Sequence, residues 1–484
     1  MVSRANRLVS PANAAGAPGG GSAVVAAEMA RKVSASEPES ALALADEVLG
    51  RALRIGATEA EVLVMAGDAA LTRFANSEIH QNVVERALTV NLRYVVGKRI
   101  AVVSTGKVDT DGLRSLVNRA AAITRSCEEL DDWAGLPGPA KAAAGAAANA
   151  WSDGTAEATP ELRAEGVRAV IAAADAKGVT AYGSFSTEAE AVAVANSAGI
   201  RSAERRTSSQ LLTVHMSPDG GTGYAEGVSM DATEIDAAAI GAEAAAKARA
   251  GDRAVSIEAG EYPVVLEEYA VVDITDMLGY LGFSALAVQE GRSFVELGRR
   301  IGSDLVTIVD DGEDPNGLPM SFDYEGVAKQ RVPLVEAGVC REVVYDSQTA
   351  ARDGRASTGH GLPAPNPWGP FPLNAVMSAG STPREELIRG LDRGLLVTRF
   401  HYTNVVHPKL AIVTGMTRDG TFLVEKGEIV GPVRNLRFTQ SYLDALAGVS
   451  AVSSDRRTVK GFLGAAVVPA LRIDAWTFTG VTEF

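Results

Sequence analysis

The stretch TRFHYTNVVHP, residues 398–408, carries His401 and His407 in a chain that has 5 histidines in all. Two imidazoles this close are candidates for a metal site or an acid/base pair. Metal-binding histidines on one helix face need a spacing of three or four, as in HExxH, and on one strand face an even spacing. The two residues are six apart, but Asn404 and Pro408 predict a turn rather than one unbroken strand. No third Asp, Glu or His stands at a recognisable offset, the nearest downstream acid being Asp419. The stretch is therefore read as strand and turn lining a site, with no catalytic residue and no metal ligand assigned to it.

Three other segments carry chemistry-bearing side chains. In VVYDSQTAARDGRASTGHG, residues 343–361, His360 with Asp346 and Asp353 is a candidate cluster. Ser347, Ser357 and Thr358 are candidate nucleophiles there, but no GxSxG elbow frames them, and a solvated loop over a sheet edge is the preferred reading of the segment. In TGMTRDGTFLVEKGEIVGPV, residues 414–433, Arg418-Asp419-Gly420 and Lys426-Gly427 each predict a hairpin turn. Arg418 stands out because its guanidinium can grip a carboxylate. Asp273, Asp276 and Glu290 lie on or near an apolar helix, where carboxylates can serve as ligands or bases. No histidine accompanies them, however, since none lies between His215 and His360.

The chain as a whole narrows the function classes. Its 46 Lys+Arg against 60 Asp+Glu give a net charge of −14, which argues against a nucleic-acid partner. Only 2 cysteines occur, Cys127 and Cys340, so no disulfide framework or Cys-rich zinc module can be built, and a reducing, cytoplasmic setting is expected. SPANAAGAPGGGSAVV near the N-terminus is broken by Pro and Gly, unlike a secretory signal, and no apolar run is long enough for a membrane span. At 484 residues two domains are expected.

The elements that must position these residues are legible from periodicity. Residues 1–37, rich in Ala, Gly and Ser, read as a disordered extension. An amphipathic helix follows from Pro38 to Gly56, with Ser36 and Glu39 spaced as a capping box. Strand-like runs lead to a helix over about 109–126, and a linker is expected near 134–160. A further helix, alternating strands and a helix over 231–251 capped by Asp231 or Thr233 complete an N-terminal mixed α+β domain, residues 38–255. Residues 256–484 begin with a strand and a buried helix, AVVDITDMLGYLGFSALAVQ, and then read almost wholly as strands. The expected fold class is α+β, with a β-rich C-terminal domain.

The ordered segments ALRIGATEAEV, RYVVGKRIAVVSTGKVDTDGL, FDYEGVAKQRVPLVEAGV, GLLVTRFHYTNVVHPKLAIVTGMTRDGTFLVEKGEIVGPVRNLRFTQS and VPALRI resemble the TldD/PmbA family. The likeness runs over residues 38–480 and is most specific from Gly394 to Ser441. It implies paired subunits, TldD and TldE (also called PmbA), forming a heterodimeric zinc metalloprotease whose peptide substrate lies in a cavity between subunits. In the catalytic subunit an HExxxH helix and a late cysteine hold the zinc, and the glutamate acts as base on the bound water. Here the corresponding helix reads YAVVDITDMLGYLGFSA, and RTVKGFLGAAV precedes VPALRI, so no catalytic residue carries over. The pattern is similar to the TldE/PmbA subunit, which contributes no zinc, pairs with a TldD-like catalytic subunit and closes the chamber. By the same resemblance, Arg399, His401, Tyr402, Asn404 and Arg418 line that chamber, and the strands at 397–404 and 411–425 suit an extended peptide. Two alternatives remain: a pair recruited to hydrolyse one amide in a biosynthetic pathway, and a homodimeric binding protein without hydrolytic function.

Overall fold

The computed structural model describes residues 33–139, 149–462 and 464–482. Most of the extension expected over 1–37, and the middle of the linker expected near 134–160, lie outside the described residues. Helices and strands are segregated as an α+β chain requires, with an N-terminal α/β region followed by a strand-rich sheet.

The first sheet is antiparallel, in the order β3-β2-β1-β4-β5-β6. Its strands are β1 Glu59–Ala75, β2 Glu78–Val96, β3 Arg99–Thr105, β4 Thr180–Asn196, β5 Arg201–Met216 and β6 Thr222–Ser229. Two helix pairs bury its apolar positions: α1 Pro38–Arg54 with α2 Thr110–Thr124, and α3 Pro160–Ala176 with α4 Ala237–Ala250. Leu44, Val48, Leu113 and Leu116 pack on Val62, Val64, Val90 and Leu92. Val167, Val170, Ile240 and Ala244 pack on Phe74, Phe185 and Leu211. The Ala-rich α4 comes close to its neighbours: a Cβ on Gly223 would meet the Ala244 carbonyl oxygen at 2.2 Å.

Two helix starts differ from expectation. The capping box of Ser36 and Glu39 does not form, because the cap is Glu37, which makes no side-chain bond, while Ser36 is hydrogen-bonded to Ser34. Neither Asp231 nor Thr233 caps α4. Asp231 opens a short 3-10 turn, and the helix begins six residues later with Asp236 accepting from the Ala239 N–H at 2.9 Å.

The second sheet joins eleven strands. They are β7 Gly260–Leu266, β8 Ile308–Asp310, β9 Val332–Glu336, β10 Val339–Cys340, β11 Ala375–Met377 and β12 Arg393–His407, then β13 Ile412–Glu425, β14 Glu428–Pro432, β15 Leu436–Ser441, β16 Val449–Lys460 and β17 Ala465–Val481. The helix α5 Glu268–Leu281 packs on it through Ala270, Ile274 and Leu278. The apolar run expected as one helix is broken at Gly282, where a Cβ would stand 2.1 Å from the Phe294 ring, and resumes as Ala285–Gln289. Beneath the sheet, Phe400 stacks on Trp476 at 4.9 Å and tilts against Phe438 at 4.7 Å. No helix among the described residues is long and apolar enough to cross a membrane.

Buried charges pin both the second unit and its junction with the first. Asp310 accepts from Lys329 Nζ and His360 Nε2, each at 2.7 Å, and from the Asn374 N–H at 2.8 Å. Burial alone would raise its pKa, but Lys329 and His360 outweigh it and hold the carboxyl well below the usual range. At the junction, Phe322 and Val327 press on Leu63, Val192 and Val194. Within that contact Arg93 lies 3.4 Å from Glu61 and 3.6 Å from Glu325, leaving one Glu61 oxygen without a partner. Desolvation lifts the Glu61 pKa to about 7 despite Arg93, and Glu325 pushes it the same way.

Replacing Lys329 with Met leaves the Asp310 carboxylate without its permanent cation and is expected to cost about 3–5 kcal/mol in urea unfolding. Glu61 gives a pH signature. Its folded pKa lies above the ordinary 4.5, so its contribution is full below that value and is lost as the pH rises through about 7. Glu61→Gln is expected to gain on the wild type by up to about 3 kcal/mol between pH 5 and pH 8, and equal shifts of both proteins over that range would contradict this.

Candidate functional site

The site is built on the β12–β13 ribbon, where Arg399 faces Arg418 and His401 faces Met416. The register slips between Val397 and Arg399 and again between His401 and Asn404, so residues 399–401 form a short regular stretch between two irregularities. Arg399 and His401 therefore share one face, and Phe400 turns the other way into the aromatic core. On the shared face, Arg399 donates to Asp419 Oδ2 from Nε at 2.8 Å and from Nη2. Its guanidinium also lies 4.3 Å from the centre of the Tyr224 ring on β6, a cation–π contact across the junction of the two units.

Arg418-Asp419-Gly420 is not the hairpin turn that its composition predicts. The three residues lie inside β13, and the turn is made by Lys426-Gly427, both at positive φ. Asp419 has φ 55° and is 3% exposed, and Gly420 follows at φ 133°, where a Cβ would meet Thr398 Oγ1 at 2.4 Å. The backbone is bent to drive the Asp419 carboxylate under Arg399.

The turn expected at Asn404 is absent too. β12 runs on to His407, and the chain reverses at Pro408–Leu410. Asn404 donates to the Tyr402 carbonyl at 2.9 Å, and His407 Nδ1 accepts from the Leu410 N–H at 3.3 Å, capping that reversal. The two histidines that suggested a joint centre thus have separate tasks. His401 stays open on the ribbon face; partial burial and the charges of Arg418 and Arg399 lower its pKa, so it is neutral at pH 7. Tyr402, at φ 55° and 73% exposed, projects beside it.

Behind Tyr224 a polar network leads to the start of α5. Tyr224 and Gln210 donate to Glu226 Oε2 at 2.9 and 2.8 Å. Arg457 donates to Tyr269 at 2.6 Å and to Glu243 at 2.8 Å. Lys247 donates to Glu243 and Glu267 at 2.7 Å each, and Arg384 binds Glu267 and Glu268. Glu268 is fully buried; desolvation raises its pKa against the pull of Arg384. Further along α5, Asp273 accepts from Tyr442 at 2.6 Å and Thr403 at 2.7 Å, tying the helix to the ribbon.

The cluster proposed around His360 does not assemble. His360 is committed to Asp310, Asp346 caps the helix Ser347–Arg352, and Asp353 accepts from the Tyr345 hydroxyl at 3.0 Å. Of the five predicted chamber residues, Arg399, His401 and Arg418 come together on one face; Tyr402 and Asn404 follow at the second irregularity. Missed were Asp419, read as part of a turn, and Tyr224, Glu226, Glu268 and Arg457, which come from elements far apart in sequence and carry no local motif. What the arrangement supplies is positive charge, a neutral imidazole and open strand backbone.

Residues 259–480 match the model of the PmbA/TldA metallopeptidase C-terminal domain, and residues 60–124 match PmbA/TldA metallopeptidase domain 1. The Metalloprotease TldD homolog of Buchnera aphidicola subsp. Acyrthosiphon pisum is 27% identical over 210 residues, 42% of each chain. The Zinc metalloprotease TldD homolog of Saccharolobus solfataricus is 27% identical over 221 residues, 42% of this chain and 46% of that one. The matched region thus spans less than half the length of these curated relatives. Among solved structures, TldE from Thermococcus kodakarensis superposes with a TM-score of 0.83 at 20% identity, covering 90% of this chain and 100% of that chain, which is a likeness of fold. Through both family domains, the chain belongs to the PmbA/TldD metallopeptidase family.

Proposed function

We propose that this chain is the TldE/PmbA-like, non-catalytic subunit of a heterodimeric zinc metallopeptidase that processes small or unfolded peptides in the cytoplasm. A TldD-like partner supplies the metal. The observation that carries this reading is the start of α5, the helix on which the catalytic subunit of the family would place HExxxH. Its N-cap and first residues read Glu267-Glu268-Tyr269, and it has no histidine. The two carboxylates that could serve as donors are already engaged, Glu267 by Lys247 and Arg384, and Glu268 by Arg384 with Arg457 at 3.9 Å.

Zinc does not fit this donor set. Three cations surround the carboxylates, and a dication placed among them would meet repulsion from each. Among the described residues, no three His, Cys, Asp or Glu side chains are grouped to hold a metal. The partner reading draws support from the ribbon, which exposes Tyr402, Val405, Val406 and Leu410 in close succession. The two free cysteines, Cys127 and Cys340, suit a reducing compartment.

Purified with a TldD-like partner, the chain is expected to form a complex that contains zinc and cleaves peptides, and purified alone to do neither. Metal-dependent peptidase activity from the isolated chain would overturn the proposal. In the complex, replacing His401 and His407 together with Asn is expected to leave the zinc content unchanged, which metal analysis can check; loss of zinc would return these residues to the list of ligands.

A further inference from the structure

The ribbon face holds more positive charge than it neutralises. Arg399 and Arg418 stand directly opposite each other in the β12–β13 register, an arrangement in which like charges repel. The single carboxylate between them, Asp419, is spent on Arg399, which takes the same oxygen with two nitrogens and is further held over the Tyr224 ring. Arg418 only approaches that oxygen to 3.9 Å, beyond hydrogen-bond range. No other carboxylate lies within salt-bridge distance of Arg418 among the described residues, and its side chain is 46% exposed. A guanidinium with five donors therefore faces outward beside His401, whose imidazole is neutral at pH 7 and can donate one hydrogen bond.

The buried side of this arrangement is rigid. Asp419 is fixed by its left-handed backbone and by Arg399, and Phe400 between Arg399 and His401 is clamped in the aromatic core. The outward side is thus an exposed, positively charged patch on a fixed ribbon. A planar anion able to take two parallel N–H donors is the complementary ligand, and a carboxylate has that geometry.

We infer that Arg418 and His401 form a carboxylate-binding subsite for peptides, with Arg399 and Asp419 as positioning residues. This rests on the reading of the ribbon as a peptide-facing surface, and it adds the chemical feature of the peptide that is recognised. Terminal and side-chain carboxylates share the chemistry, so the test must separate them.

Calorimetric titration of the isolated chain with three probes does so: acetyl-trialanine as the free acid, the same peptide as its C-terminal amide, and acetyl-Ala-Glu-Ala amide. The free acid is expected to bind at least about tenfold more tightly than the trialanine amide, a difference typical of one charge-assisted pair. Tight binding of the glutamate peptide as well would extend the subsite to side-chain carboxylates. Arg418→Gln is expected to bring both carboxylate peptides down to the level of the amide while leaving the amide unchanged, and Arg418→Lys to retain part of the difference, since it keeps the charge and loses the fork. Arg418 is half-exposed, so unchanged circular dichroism in both variants is expected to accompany these results. Equal binding of all three probes, no measurable binding of the free acid at millimolar peptide, or an equal loss for all three in Arg418→Gln would overturn the inference. Because the isolated chain is titrated, a complex that lacks peptidase activity would sink the subunit reading and leave this result standing. Conversely, an active complex whose isolated subunit shows no preference for the acid would sink the subsite alone.

Discussion

Asp419 sits in the middle of a strand with almost none of its side chain exposed, and an ionised carboxylate at that depth costs several kcal/mol unless it is paired. The pairing with Arg399 is what organises the ribbon face. For the carboxylate to reach the guanidinium, the backbone must turn left-handed at Asp419, and Gly420 must follow because a side chain there would strike Thr398. For the guanidinium to be in place, β12 must skip a register step ahead of Arg399, which it does after Val397. The register slip after Val397 and the bend at Asp419 accompany one buried ion pair, and the openness of Arg418 goes with it, since among the described residues the one carboxylate within salt-bridge distance is occupied.

The same logic extends across the junction between the two units. Tyr224 presents its ring to Arg399 and its hydroxyl to Glu226, while Arg457 reaches from the second sheet to Glu243 and Tyr269. Each half thus supplies counter-charges or aromatic faces to ions rooted in the other. Apolar contact through Phe322 and Val327 brings the halves together without regard to direction. The ion pairs add the directional term, because a displaced guanidinium leaves an uncompensated buried charge. Glu61 and Glu325 share a single Arg93, so this junction carries more acid than base and responds to pH where ordinary carboxylates do not.

How much of this was legible in the sequence depends on whether the determinant was local. Helix faces in α1 and α3 and the alternation in β4 and β5 are set by residues within a turn or two, and they were read correctly. The α+β class followed from them. The break at Gly282 was missed because its cause, the ring of Phe294, lies outside the helix. Arg418-Asp419-Gly420 was misread for a related reason: Asp-Gly is sound turn chemistry, and only the partner twenty residues earlier shows that the bend serves a buried carboxylate. Arg399, His401 and Arg418 were named as separate candidates, but that they meet on one face was not legible, since no spacing rule joins positions on two strands before their register is known.

The contrast between the two charged clusters is informative about how such a chain can retain a metallopeptidase fold on a helix without HExxxH. Removing ligands from a metal site leaves buried polar groups that must be satisfied by something else. Around the start of α5 the buried carboxylates are satisfied by Lys247, Arg384 and Arg457, three cations from three separate elements, and the bonds among these cations and Glu243, Glu267 and Glu268 cross-link α4, the helix Arg384–Arg389 and β16 onto α5. A cluster of this kind holds elements together much as a bound dication would, but it presents no open coordination position and generates no nucleophile. Ion pairs thus hold that end of the fold together, while the ribbon leaves Arg418 half-exposed. On the proposed subunit reading the hydrolytic chemistry belongs to the partner, and what the half-exposed Arg418 adds to the ribbon is a planar set of donors suited to an anionic group.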